Sequence, residues 1–180
     1  MTLFALLFVS ALPRSGIAQE WEKADCARLA IQFDPGGTLS AQGADCWQLK
    51  SVKGRLEMIN ARAASSMFIT TLYHVESLDA EIVRSDIKDF VGAIGMFTGT
   101  SAWSAPLPVS GYQVWKFQGA LKIDPFWDTR CIAFSRYGGG DGDRFRHQVS
   151  GFSCIDPSVS ARGMTDAEAS DLLGRISQVH

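Results

Sequence analysis

Residues 130–137 and 144–155 are two long strand-forming runs, RCIAFSRY and RFRHQVSGFSCI, joined by the glycine-rich stretch GGGDGD. This is the clearest hairpin signal in the chain, and a hairpin of that length requires an antiparallel sheet. Cys131 stands near the start of the first run and Cys154 near the end of the second, so pairing can set them opposite each other. Cys26 and Cys46 complete a set of four cysteines. An even count in an exported chain points to two disulfides, and four cysteines allow three pairings. Spacing favours Cys26 with Cys46 and Cys131 with Cys154. Closing the first loop resembles the ~15-residue case worth about 3 kcal/mol. A zinc site is the rival, but no C-x-x-C or H-x-x-x-H spacing supports one, so no metal or other cofactor is expected.

The disulfide reading depends on export. Residues 3–12, LFALLFVSAL, are apolar throughout. They are too few to cross a bilayer as a helix, which takes about 20 residues, and they fit the core of a secretory signal. Gly16 and Ala18 bracket Ile17 as a small-x-small cleavage site. The expected organisation is a signal peptide over 1–18 and a single domain over 19–180. The basic residues that usually precede the apolar run are missing, and Pro13 and Arg14 interrupt the approach to the cleavage site. A buried N-terminal helix is the competing reading. No further run approaches transmembrane length, so the mature chain is expected to have no stable membrane span and to be periplasmic or secreted. A formal charge of -2 excludes a general nucleic-acid binder, which would be strongly basic. With 46% hydrophobic and 20% charged residues, the chain has the makings of a packed core.

The remaining elements follow from periodicity. Residues 55–61 and 66–75 read as strands, the second rich in β-branched and aromatic side chains and apolar on both faces. Residues 78–97 read as a helix capped by Ser77, with Val83, Ile87, Phe90, Val91, Ile94 and Phe97 at helical spacing. Gly92 and Gly95 weaken its last turns. Residues 111–121 are a further strand. Residues 166–178 are a closing helix with the capping-box spacing Thr165…Glu168. The expected fold is α+β: an antiparallel sheet of about five strands with two helices packed on one face, in the order β-β-α-β-β-β-α. Residues 20–48 stay unassigned, as an elaboration tied down by a disulfide.

Catalytic signatures are missing. There is no G-x-S-x-G elbow and no H-E-x-x-H. Cysteines that pair off leave no thiolate nucleophile. The glycine-rich stretch at 138–143 lacks the Lys-Ser/Thr of a phosphate loop, and Asp141 and Asp143 lack the other ligands of a calcium loop. His74 and His147 can meet across a sheet, but no third metal ligand is indicated. Three constellations remain as candidate ligand sites. Arg144 and Arg146, two apart in a strand, can share one face and read an anion. Asp124, Trp127 and Asp128 form an aromatic-plus-acid loop of the sort that suits a glycan. Trp103, Trp115, Trp127, Phe117 and Phe126 fill a core or line a groove for an apolar ligand. The function expected is therefore a small exported binding or interaction module, its partner an unknown small ligand or an envelope protein. The alternatives are an enzyme acting on an envelope glycan or small molecule, and an accessory subunit of an envelope complex.

Overall fold

The computed structural model describes residues 20–34, 41–51, 53–63, 68–78, 81–122, 127–140, 144–158 and 160–178. The proposed signal segment 1–18 and Asp124 lie outside these. In chain order the elements are β1 (Glu22–Ala24), a 3-10 turn (Cys26–Arg28), β2 (Ile31–Phe33), β3 (Ala41–Ser51), β4 (Gly54–Ala63), β5 (Phe68–Ser77) and β6 (Ile82–Val83). Then come α1 (Ile87–Ile94), β7 (Phe97–Ser101), β8 (Leu107–Val109), β9 (Tyr112–Leu121), β10 (Trp127–Gly138), β11 (Arg144–Phe145), β12 (His147–Ile155), α2 (Asp166–Gly174) and β13 (Ile176–Gln178).

Nine strands make one antiparallel sheet in the order β1-β3-β4-β5-β12-β10-β9-β7, with β8 also paired to β9. Two small ribbons, β6 with β11 and β2 with β13, stand outside it. The expected hairpin is the centre of the sheet. β10 and β12 run in register from Arg130 opposite Ile155 to Gly138 opposite His147. Cys131 faces Cys154 at a Cα separation of 4.1 Å and is bonded to it, and Cys26 is bonded to Cys46. Both disulfides follow the spacing preference read from the sequence. β5, apolar on both faces, lies between β4 and β12 in the interior of the sheet.

The α+β expectation, with about five strands and two helices on one face, is overturned. The fold is predominantly β, with thirteen strands and two short helices among the described residues. The helices lie on opposite faces of the large sheet. Successive residues of a strand point to opposite sides. On β10, Ile132 and Phe134 pack with Leu172 and Leu173 of α2, whereas Cys131 and Ala133 pack with Phe90 and Val91 of α1. A continuous apolar run such as Cys131-Ile132-Ala133-Phe134 buries both faces of its strand, so both faces must be covered. β2 and β13 complete the cover on the α2 side, contributing Ile31 and Ile176.

The helices are shorter than the periodicity predicts. Residues 81–86 do not join α1. Ile82 and Val83 are β-branched and pair instead with Phe145 and Arg144. The N-cap is Asp86, whose Oδ1 accepts from Lys88 N at 2.8 Å, not Ser77. Gly95 in the left-handed region (φ 68°) closes the helix, which glycine does without steric cost. The capping box of α2 is formed as its spacing predicts. That helix ends at Gly174, and Ile176–Gln178 becomes β13, paired with β2.

Candidate ligand-binding cleft

The structure separates the residues that the sequence singles out. Arg144 sits on β11 opposite Val83 and bonds Glu81 at 2.9 Å. Arg146 lies at the bend between β11 and β12, where its Nη1 donates to the Leu78 carbonyl at 3.1 Å. Both are exposed, and both tie β11 and its junction with β12 to residues that follow β5. Trp127 and Asp128 begin β10, opposite Leu121 and Ala120. Trp103 stacks on Phe117 with ring centroids 4.3 Å apart and caps the α1-side core. His74 and His147 stand on one face, opposite Val149 and Glu76 respectively. Among the described residues no group of three or more His, Cys, Asp or Glu side chains is arranged to hold a metal.

His74 belongs to a buried polar chain on the α2 face. Arg136 Nη2 donates to Gln178 Oε1 at 3.2 Å, which turns the Gln178 amide nitrogen toward His74 Nε2 at 3.4 Å. His74 Nε2 therefore accepts, its proton sits on Nδ1, and Nδ1 donates to Glu57 Oε2 at 3.1 Å. Glu57 also accepts from the main-chain N–H groups of Ala30 at 3.0 Å and Ile31 at 3.2 Å. Burial pushes the Glu57 carboxyl up. The bonds from His74, Ala30 and Ile31 outweigh this and hold it below its usual 4.5. The pair resembles an acid–base dyad, but each polar end is already engaged. Glu57 is 1% exposed and His74 3%, so neither is placed to meet a substrate. The chain fastens β2 and β13 to the main sheet.

The opposite face carries a cleft of about 590 Å³ beside the N-terminus of α1, within the roughly 300–1,000 Å³ of small-ligand sites. Residues 84–88 form one wall and Ser104, Ala105 and Pro106 the other, over a base of Gln113, Trp115, Ser135 and Tyr137. Register explains the base. Gln113 and Trp115 of β9 stand opposite Ser135 and Ala133 of β10. Ser135 and Tyr137 stand opposite Ser150 and Gln148 of β12. Trp115, Ala133 and Phe152 keep the adjoining row apolar, whereas Ser135, Ser150 and Gln148 make the next rows polar although each is at most 5% exposed. Tyr137 Oη accepts from Ser85 N at 3.3 Å, which fixes the wall to the base. Arg84 lies over the Tyr137 ring, 5.1 Å from its centroid, and Lys88 lies 5.9 Å from that of Trp103. Further under α1, burial pushes the Tyr73 phenol up to about 12.

Of the aromatic cluster in the sequence, Trp115 reaches this cleft. Arg84, Lys88, Gln113, Ser135 and Tyr137 match no motif in the sequence. One signal for the base lies in the strand runs themselves: Ser135 breaks the apolar run 131–134, and Gln148 and Ser150 break the matching run of β12. The walls carry no such signal, because residues 84–86, the first turn of α1 and residues 104–106 are brought together by the sheet. Comparison with known protein families, with curated proteins and with solved structures finds no significant match to this chain.

Proposed function

We propose that the protein is a small exported binding module and that the cleft between α1 and the 104–106 segment is where it takes a small ligand. The observation that carries this reading is the base of the cleft. Polar side chains buried in a sheet cost free energy unless something answers their hydrogen-bonding capacity. Here they lie beside an open cleft with aromatic and cationic sides. Binding is favoured over catalysis because the buried acid–base pair, Glu57 with His74, lies on the other face of the sheet. Asp86, the carboxylate among the described lining residues, is turned to cap α1. Two formed disulfides support an oxidising compartment, periplasmic or extracellular. The described helices include none long and apolar enough to cross a membrane.

The test is a heteronuclear NMR screen of the labelled protein against a mixed set of sugars, amino acids, aromatic acids and nucleotides. The expected result is at least one compound that shifts the amides of residues 84–88, the Trp115 indole and the Ser135 amide together. Silence at these positions across the set, or shifts concentrated elsewhere, contradicts the proposal.

A further inference from the structure

We propose that the ligand of the cleft is an uncharged sugar, its ring lying on Trp115 and its hydroxyls meeting Gln113 and Ser135. This inference rests on the cleft's proposed role and adds the chemistry of what it takes. Polar groups along the walls are engaged within the protein. Ser104 Oγ donates to the Ala105 carbonyl at 2.8 Å and accepts from Lys116 N at 2.9 Å, and Tyr137 Oη accepts from Ser85 N at 3.3 Å. Arg84 lies over the Tyr137 and Phe145 rings and is also engaged elsewhere in the protein. Asp86 and Lys88, at the start of α1, carry opposite charges. The wall therefore sets no single sign of charge for a ligand to answer.

The base differs. Trp115, Gln113 and Ser135 line the cleft, and none of their side chains forms a hydrogen bond among the described residues. Ser135 is 5% exposed, so its hydroxyl has left bulk water without an internal partner. A ligand hydroxyl offsets that cost. Gln113 is the partner of Ser135 in the β9–β10 register, which sets a carboxamide beside a hydroxyl on strands about 4.8 Å apart. Trp115 is the next residue on that face of β9, about 6.7 Å along the strand, and it is half-buried with part of its side chain in the cleft. A saturated six-membered ring laid on the indole meets the π-face with C–H groups, while its ring hydroxyls point toward the neighbouring row. Each ligand hydroxyl both donates and accepts, and so do the Ser135 hydroxyl and the Gln113 carboxamide. A bare saturated ring would stack and leave both groups unanswered. An added negative charge would gain nothing from a wall of mixed sign.

The labelled protein is titrated at neutral pH with the methyl glycosides of glucose, galactose, mannose and N-acetylglucosamine, and separately with tetrahydropyran and glucuronate. The signals followed are the Gln113 carboxamide, the Trp115 indole and the Ser135 amide. At least one neutral glycoside is expected to move all three, with an affinity at least about tenfold above that of tetrahydropyran, which lacks the hydroxyls. Added salt is expected to change that affinity by less than about twofold. Gln113→Ala and Ser135→Ala are each expected to lower it about fivefold, the effect of one lost hydrogen bond. Gln113 is exposed, so Gln113→Ala keeps the test if Ser135→Ala fails to fold. Equal binding of tetrahydropyran, or unchanged affinity in Gln113→Ala, overturns the hydroxyl contacts. Tighter binding of glucuronate than of every neutral glycoside, lost on adding salt, overturns the uncharged class. If the glycosides are silent while compounds of the broader set move the cleft, the ligand class fails and the cleft's role stands. Silence of every compound overturns both.

Discussion

At the scale of residues, the tightest constraint is the carboxylate of Glu57. It lies on β4 with its side chain 2% exposed, joined to His74 and to two main-chain N–H groups some 26 residues away in sequence. Removing it strands three donors in the interior. Glu57→Ala is expected to cost about 3 kcal/mol or more of stability, measured by urea unfolding. The pH dependence has a definite sign. The folded carboxyl is held below its usual 4.5, so its contribution is complete above that value and is lost as pH falls through the lower folded value. The acid limb of the stability profile is therefore expected to flatten in Glu57→Gln, and an unchanged limb would remove Glu57 from the account. None of this was legible in the sequence. In the alternation Leu56-Glu57-Met58-Ile59 an acid marks a solvent-facing position, and only the arrival of β2 from elsewhere in the chain makes it an interior one.

At the scale of elements, legibility follows how local the cause is. The β10–β12 hairpin, its cross-strand disulfide and the α2 capping box each arise from residues close in sequence or from strict alternation, and each could be read. The two-residue strands β6 and β11 could not be read. They exist because Ile82 meets Phe145 and Val83 meets Arg144 across the fold. The same pairing removes residues 81–86 from the predicted helix. The cleft was legible only in part: Trp115 stands out by type, whereas Ser135 gains meaning from the register of β9, β10 and β12, and Lys88 from the packing of α1 beside them. Backbones also approach closely in the interior of that sheet. A Cβ on Gly151 would meet the Thr71 carbonyl oxygen and, at 2.8 Å, the Phe134 ring. Gly151→Ala is expected to lose about 1–3 kcal/mol, read as a lower urea midpoint with the slope unchanged. A midpoint equal to that of the parent would mean that the strands can part without cost.

At the scale of the whole molecule, the sequence gives the right kind of pairing but the wrong layering. Hairpins and apolar stripes by themselves suggest one sheet with a single helical layer. The apolar run 131–134 is what puts α1 and α2 on opposite faces, because it buries both sides of β10. The two disulfides anchor different layers: Cys131–Cys154 lies in the α1-side core, and Cys46 of Cys26–Cys46 in the α2-side core. Intact mass of the protein recovered from the medium or periplasm is expected to correspond to a chain starting at Gln19. It should show no reaction with a thiol reagent until reductant is added. Free thiols in the recovered protein would contradict the proposed oxidising compartment. The cleft carries the central claim, and the most direct measurement compares the parent with a folded Trp115→Ala variant in the same small-molecule NMR screen. The account predicts that compounds shifting residues 84–88 and Ser135 in the parent lose at least about tenfold in affinity in the variant, given the contact area an aromatic side chain supplies to a ligand. Equal responses in the two proteins would place binding elsewhere and contradict it.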